Sequence, residues 1–284
     1  MIIDHGLQLV LLHVPKCAGT SLRRAFLEDS GSRTIENHFD FEFDPVIKRQ
    51  VDRAHLPLMD LRHRPEWRWL QRYRVVAAVR HPYQRLASAC REFLKQKSRV
   101  TEIQVRSAPP THQQLLDYLR RLPAAMDAHD LRWVHGFPIH WFTHYGNRPK
   151  VHHLLRCSHL HDDLIALGET LNWPHSLKQR LAKVGAGAGR RENSDLNTLQ
   201  RSADLRAVAN LLHAEDFDCF GFKREEAMFQ DPVLAKLIEQ CLAEGNSHEL
   251  PLTNLTPEMR WYYGRSSPKP TLQLKPTRHW RSRL

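Results

Sequence analysis

Residues 9–26, LVLLHVPKCAGTSLRRAF, carry an apolar strand pattern through Pro15, Lys16, Cys17, Ala18, Gly19, Thr20 and Ser21 into an amphipathic helix. A small-residue turn at a helix N-terminus points unpaired backbone N–H groups and the positive end of the helix dipole at an anion. Thr20 and Ser21 add hydroxyl donors, Lys16 adds a mobile charge, and Cys17 supplies a small side chain. The loop of nucleoside triphosphatases needs two glycines four residues apart, then Lys, then Ser or Thr. Here the lysine precedes the only glycine of the loop, so it approaches a phosphate group from the strand side.

A second block has the same form. Residues 75–94, VVAAVRHPYQRLASACREFL, are an apolar run closed by Arg80, then Pro82 at a helix first turn, then a helical pattern bearing Arg85 and Ser88. A guanidinium offers a planar fork to phosphate oxygens, and a serine about two helical turns along can reach the same anion. Both blocks stand at the C-terminal end of an expected strand, where open α/β sheets place ligands. The bland reading makes Lys16 a surface lysine, Arg80 a strand cap and Arg85 a solvated helix charge.

The run HVPKCAGTSL resembles the 5′-phosphosulfate loop of sulfotransferases, in the HIPKTGGTSL form of the carbohydrate-modifying, heparan sulfate 2-O-sulfotransferase-like branch. Arg80-His81-Pro82-Tyr83-Gln84-Arg85-Leu86-Ala87-Ser88 is similar to that family's R-[DN]-P-x-x-R-x-x-S, with His81 in place of the acidic or amide residue. The resemblance implies an α/β, P-loop-like three-layer fold with a central parallel sheet flanked by helices. It also implies a donor, 3′-phosphoadenosine 5′-phosphosulfate (PAPS), with its 5′ side on Lys16, Cys17, Ala18, Gly19, Thr20 and Ser21 and its 3′-phosphate on Arg80 and Ser88. Arg190 and Arg191, after the small-residue stretch 185–189, fall where the family carries a basic loop over the 3′-phosphate; the alternative is a plain connector. Residues 151–173 resemble the family's next strand and helix, with Cys157 and Ser158 where a glutamate and its neighbour often occur, and residues 211–222 resemble its terminal YxxDxxxFGY element, read here as a core-docking helix end.

Sulfuryl transfer requires a base for the acceptor hydroxyl and a positive group at the leaving oxygen. Lys16 suits the second task. His55, in Ala54-His55-Leu56-Pro57-Leu58, resembles the family's histidine in a GHxP-like segment, with alanine for glycine, and is the expected general base. His38 is the reserve base and Asp60 the third choice.

The remaining sequence bounds the reading. The 284 residues are expected to form one domain over 1–250 and a basic, extended tail over 251–284, rich in Pro, Arg and Lys with interspersed aromatics. No stretch approaches the roughly 18–20 apolar residues of a membrane span, and no basic region followed by an apolar segment opens the chain. Golgi relatives carry an anchor ahead of this point, so the chain resembles a bacterial-type, soluble, cytoplasmic member. Five scattered cysteines without a CxxC pair argue against a disulfide framework or zinc site and for a reducing compartment. Among 19 histidines, His152 and His153 are adjacent in a strand pattern and point apart, while His140 and His144 could share a helix face but lack a third ligand; no metal is expected.

The formal net charge of +11 attracts anions. No nucleic-acid-binding signature accompanies it, so the expected partner is a hydroxyl-bearing acceptor, first a carbohydrate and next a small-molecule natural product, while the tail could touch a membrane surface. The alternatives are a P-loop kinase using ATP and a noncatalytic polyanion-binding protein. The expected elements are a strand over 8–14, a helix over 20–29, a polar and aromatic loop region to about 70, a strand over 75–80 and a helix over 82–97. A helical region over 111–146, a strand over 151–156, a helix entered at Ser158 or His159, one capped at Ser194 or Asp195, and one over 232–244 follow.

Overall fold

The two apolar runs become neighbouring strands. In the computed structural model, which describes residues 1–45, 49–101, 110–127, 129–188, 199 and 202–244, β1 is Ile2–Asp4, β2 Leu9–Leu12, α1 Gly19–Glu28 and β3 Ile35–Asn37. Then come β4 Phe41–Asp44, β5 Arg49–Asp52, a 3₁₀ turn Arg53–His55, α2 Leu58–Leu61, α3 Trp67–Arg72 and β6 Arg74–Val79. The chain continues through α4 Pro82–Thr101, α5 His112–Asp127, a 3₁₀ turn Leu131–Gly136, α6 His140–Thr143, β7 His144–Tyr145, β8 Arg148–Pro149 and β9 His153–Arg156. It ends in a 3₁₀ turn Cys157–His159, α7 Leu160–Thr170, α8 His175–Ala188, α9 Ala203–Leu212, α10 Ala214–Phe220 and α11 Pro232–Glu244. These residues group into two compact units.

The first unit draws on Met1–Asp40, Asp52–Arg80 and Ile139–Glu192. Its sheet has the order β3-β1-β2-β6-β9. The expected parallel core is β2, β6 and β9, with Leu9 opposite Arg74 and Val76 opposite His153. Two antiparallel strands, β1 on β2 and β3 on β1, extend it into a mixed sheet flanked by helices. Every residue of β2 and five of six in β6 are buried, as a strand covered on both faces demands. After β2 the chain returns on the β1 side, whereas after β6 it returns as β9 on the other side, so β2 and β6 flank the topological switch point. α1 buries Gly19, Leu22, Ala25 and Phe26 at helical spacing, and Phe26 meets Trp173 edge-on with centroids 5.6 Å apart.

The second unit draws on Phe41–Val51, His81–Pro138 and described residues beyond Asn193. Its core includes Tyr118 and Trp133, whose rings stack at 4.7 Å. His81 caps α4: its Nδ1 accepts the Tyr83 N–H at 3.3 Å, while Nε2 meets the Lys223 carbonyl at 3.1 Å. Arg85 is not a solvated charge. It is fully buried and its Nη2 donates to the Phe137 carbonyl. The Tyr83 hydroxyl donates to Asn210 Oδ1 at 2.6 Å and accepts the Glu225 N–H at 3.1 Å, which holds the segment after α10 against α4 and α9. The aromatic residues of the 211–222 element pack as a helix end: Phe217 and Phe220 are buried, and Gly221, at φ +62°, ends α10.

Three expectations need correction. The loop region to about 70 holds three strands, a 3₁₀ turn and two helices, each too short to show a period. Within the stretch 185–189, Gly185 to Ala188 complete α8 rather than forming a loop. His140 and His144 do not share a helix face, because α6 stops at Thr143. The helix leading into the 211–222 element is capped by Ser202, whose Oγ accepts the Leu205 N–H at 3.3 Å, and Ser194 and Asp195 lie outside the described residues.

Tyr83→Phe removes the hydroxyl that serves both Asn210 and Glu225, with a loss of about 1–2 kcal/mol for the pair of bonds. Urea unfolding is expected to show a lower midpoint with the slope unchanged; an unchanged midpoint would show that the segment is held by packing alone.

Candidate functional site

The turn between β2 and α1 has an unusual backbone. Lys16 and Ala18 both adopt the left-handed region, at φ +63° and +61°, and flank buried Cys17, whose N–H donates to the Val14 carbonyl at 3.3 Å. Non-glycine residues hold this conformation at a cost, and strain of this kind concentrates at ligand-binding turns. Ala18 is the N-cap of α1 without a side-chain cap, and its carbonyl accepts both the Ser21 and Leu22 N–H groups at 3.1 Å. The Gly19 and Thr20 N–H groups then have no partner among the described residues, as the geometry of a helix start dictates. Thr20 and Ser21 are exposed on this first turn and Lys16 is half-buried.

Gly19 is required here. A Cβ at this position would overlap the imidazole of His13, which lies across the start of α1. His13 is itself buried, stacked on Phe39 with centroids 5.8 Å apart, and it meets His55 edge-on at 4.5 Å. His55 is therefore brought to the strand end that feeds the loop, although 42 residues separate it from His13 in the chain. Its Nδ1 lies 3.1 Å from the His13 carbonyl oxygen. A carbonyl only accepts, so Nδ1 carries the proton and Nε2 holds the basic lone pair.

The electrostatics follow from burial. His55 is held below the usual histidine range first by burial, with Asp52 opposing and Lys16 adding to the depression. Asp52 is pushed above the usual carboxylate range by its own burial, with His55 opposing. Its Oδ1 accepts the Ala54 N–H at 2.9 Å and so starts the 3₁₀ turn that carries His55.

The other expected residues divide. Arg80 follows β6 directly, and carrying the Leu12–Ala77 register three residues on brings it out at the same sheet edge as Pro15. Ser88 is half-buried on α4, in the second unit. Arg190 and Arg191 lie outside the described residues. His38 has both ring nitrogens engaged, Nε2 with Glu36 at 3.0 Å and Nδ1 with Arg53. Asp60 is buried in α2. The sequence reading missed His13 and Asp52; the signal for Asp52 was an N-cap type two residues before Ala54, and for His13 its place at the end of the strand.

Among the described residues no group of three or more His, Cys, Asp or Glu side chains is placed to hold a metal ion, and no helix is long and apolar enough to cross a membrane. Compared with known proteins, residues 1–223 match the family model described as "Sulfotransferase family". No curated protein and no solved structure matches the chain.

Two measurements probe this geometry. By NMR, the His55 ring is expected to titrate below the ordinary histidine value of 6.5, because burial disfavours its charged form. Asp52→Asn removes the carboxylate that favours the imidazolium and is expected to lower that titration further; an unchanged titration would show that Asp52 is uncharged beside His55. Gly19→Ala is expected to displace His13 and to weaken anion binding at the loop by roughly tenfold or more, about 1.4 kcal/mol, read by titration with 3′-phosphoadenosine 5′-phosphate.

Proposed function

The chain belongs to the sulfotransferase family, and on that premise we propose that it transfers a sulfuryl group from PAPS to a hydroxyl of a carbohydrate or glycoconjugate, as a soluble member of the heparan sulfate 2-O-sulfotransferase-like branch. One observation carries the assignment of the base: the His55 Nδ1 bond to the His13 carbonyl fixes the tautomer with Nε2 basic, beside the phosphate-type loop.

The loop fits the donor. Its two unpartnered N–H groups at the start of a ten-residue helix and its left-handed backbone suit a phosphate oxyanion. When bound, the donor supplies an activated sulfuryl group on its 5′-phosphate. The Gly19 and Thr20 N–H groups and the Thr20 and Ser21 hydroxyls would hold that phosphate, with Cys17 and Ala18 shaping the turn. By the family resemblance, Arg80, Ser88, Arg190 and Arg191 would each serve the 3′-phosphate. With the donor bound, His55 Nε2 would receive the proton of the acceptor hydroxyl, and the Lys16 ammonium would offset negative charge at the 5′-phosphate. No residue in this scheme needs a metal. His38, tied to Glu36 and Arg53, serves as a structural histidine. We take residues 1–250 as the sulfotransferase domain and 251–284 as a basic tail. We place the protein in the cytoplasm, a reading supported by the sequence pattern of five scattered cysteines without a CxxC pair.

Calorimetric titration with 3′-phosphoadenosine 5′-phosphate, with ATP and AMP as controls at fixed salt, tests the donor. Tight binding that depends on the 3′-phosphate is expected; equal binding of ATP would favour a kinase. Lys16→Ala and Arg80→Ala are expected to weaken that binding. His55→Ala is expected to bind nucleotide as the wild type does and to lose about 10²–10⁴-fold in transfer; transfer near the wild-type rate would remove His55 from the base role.

A further inference from the structure

Most arginines with described partners in this protein sit against carboxylates: Arg33 with Asp4 and Asp29, Arg53 with Glu66, Arg132 with Asp130. One face of the first unit breaks that habit. Arg62, Arg68, Arg72, Arg74, Arg148 and Lys150 form no ion pair with a carboxylate among the described residues. They belong to the end of α2, to α3, to the first residue of β6 and to the hairpin β7–β8 with the residue that follows it.

Side-chain contacts join the end of α2, the start of α3 and the hairpin into a strip, while the exposed Arg68, next to Trp67 in the chain, stands over the Trp69 ring at 4.5 Å. Arg62 Nη1 donates to the Tyr145 hydroxyl, and its guanidinium lies 5.1 Å from the Tyr145 ring centre. Tyr145 meets Trp67 edge-on at 5.3 Å, and the Lys150 ammonium stands 5.6 Å from the Trp67 ring centre. The strip continues to His152 and His153. Burial first, and then Arg74, hold both below the usual histidine range, with Lys150 adding for His152; no carboxylate is among the causes. Arg74 and His153 stand at the starts of β6 and β9, and so at the sheet edge opposite the one from which the Pro15–Ala18 turn and Arg80 emerge.

We propose that this strip is a second binding surface, distinct from the phosphate-type loop, for a sulfated or carboxylated polysaccharide chain, whose spaced anions its uncompensated arginines and lysine would meet. This rests on the reading of the acceptor as a carbohydrate. Unneutralised cations on one face repel each other unless an external anion joins them. The aromatic rings separate this occupant from single-stranded nucleic acid, which needs open ring faces for stacking. Here the protein's own cations stand over Trp67 and Tyr145. Duplex nucleic acid is disfavoured because α3, six residues long, is too short to act as a recognition helix. The strip runs from Arg62, beside Leu61 of the cavity that His13 and Ala54 also line, to Arg74 at the far sheet edge, so that one long acceptor chain could be retained while its hydroxyls are presented in turn.

The test uses the full chain and heparin as the sulfated probe. The triple variant Arg68→Glu, Arg148→Glu and Lys150→Glu is compared with a control triple, Arg24→Glu, Lys183→Glu and Lys236→Glu, whose cations are exposed elsewhere. Circular dichroism and thermal midpoints establish that both remain folded, and a neutral triple with Gln at the same strip positions gives the same reading without reversed charge. The strip variants are expected to bind heparin at least tenfold more weakly at fixed salt, with the logarithmic salt slope reduced by roughly two to three, while the control triple stays within threefold of the wild type. Equal losses in both triples would overturn the proposal, as would duplex or single-stranded DNA held by the wild type as tightly as heparin and lost with the strip. Because the readout needs no donor, a failure here leaves the 3′-phosphoadenosine 5′-phosphate titration intact, and failure of that titration leaves this one readable.

Discussion

The close approach of the His13 imidazole to the start of α1 is the constraint on which the site depends. A Cβ at position 19 would overlap that ring, and the Gly19 and Thr20 N–H groups, without a partner among the described residues, stand at the helix start that follows β2. The same residue offers its backbone carbonyl to His55. One strand end thus shapes the anion turn with its side chain and orients the candidate base with its main chain. The left-handed Lys16 and Ala18 are the cost of turning from β2 into α1 in so few residues.

Charge in this region is set by competition between burial and pairing. Burial dominates at His55 and at Asp52, and it moves the two in opposite directions, each toward its neutral form. Their mutual attraction opposes that drift without overcoming it. A downward shift keeps the imidazole in the neutral form, which is the form able to accept a proton, while Lys16 disfavours the imidazolium. The second unit uses similar means for a different end. His81, also kept below the usual range chiefly by burial, spends both ring nitrogens on holding the start of α4 and the segment after α10.

Across the first unit, charge is distributed unevenly between paired and unpaired cations. Arg33, Arg53 and Arg64 are consumed by internal carboxylates around β1, β3 and the turn before α2. The cations of α3 and the β7–β8 hairpin form no ion pair with a carboxylate among the described residues, so part of the excess of basic residues is gathered in the first unit.

The sequence by itself determined the parallel strands β2 and β6, the helices that follow them and the small-residue turn between β2 and α1, because each rests on a local pattern: an apolar run, small residues, then a helical period. It also pointed to His55, through a short segment similar to a family motif. Only the tertiary structure decided what His55 touches, since its partner at His13 is 42 residues away and no local period encodes that contact. The same holds for Arg85, which in sequence is one more charge on a helix and in the folded chain is a buried donor to the Phe137 carbonyl. Strands of three or four residues such as β1 and β3 were illegible for a related reason. They are too short to show alternation, and their hydrogen-bonding partners, not their own residues, make them strands.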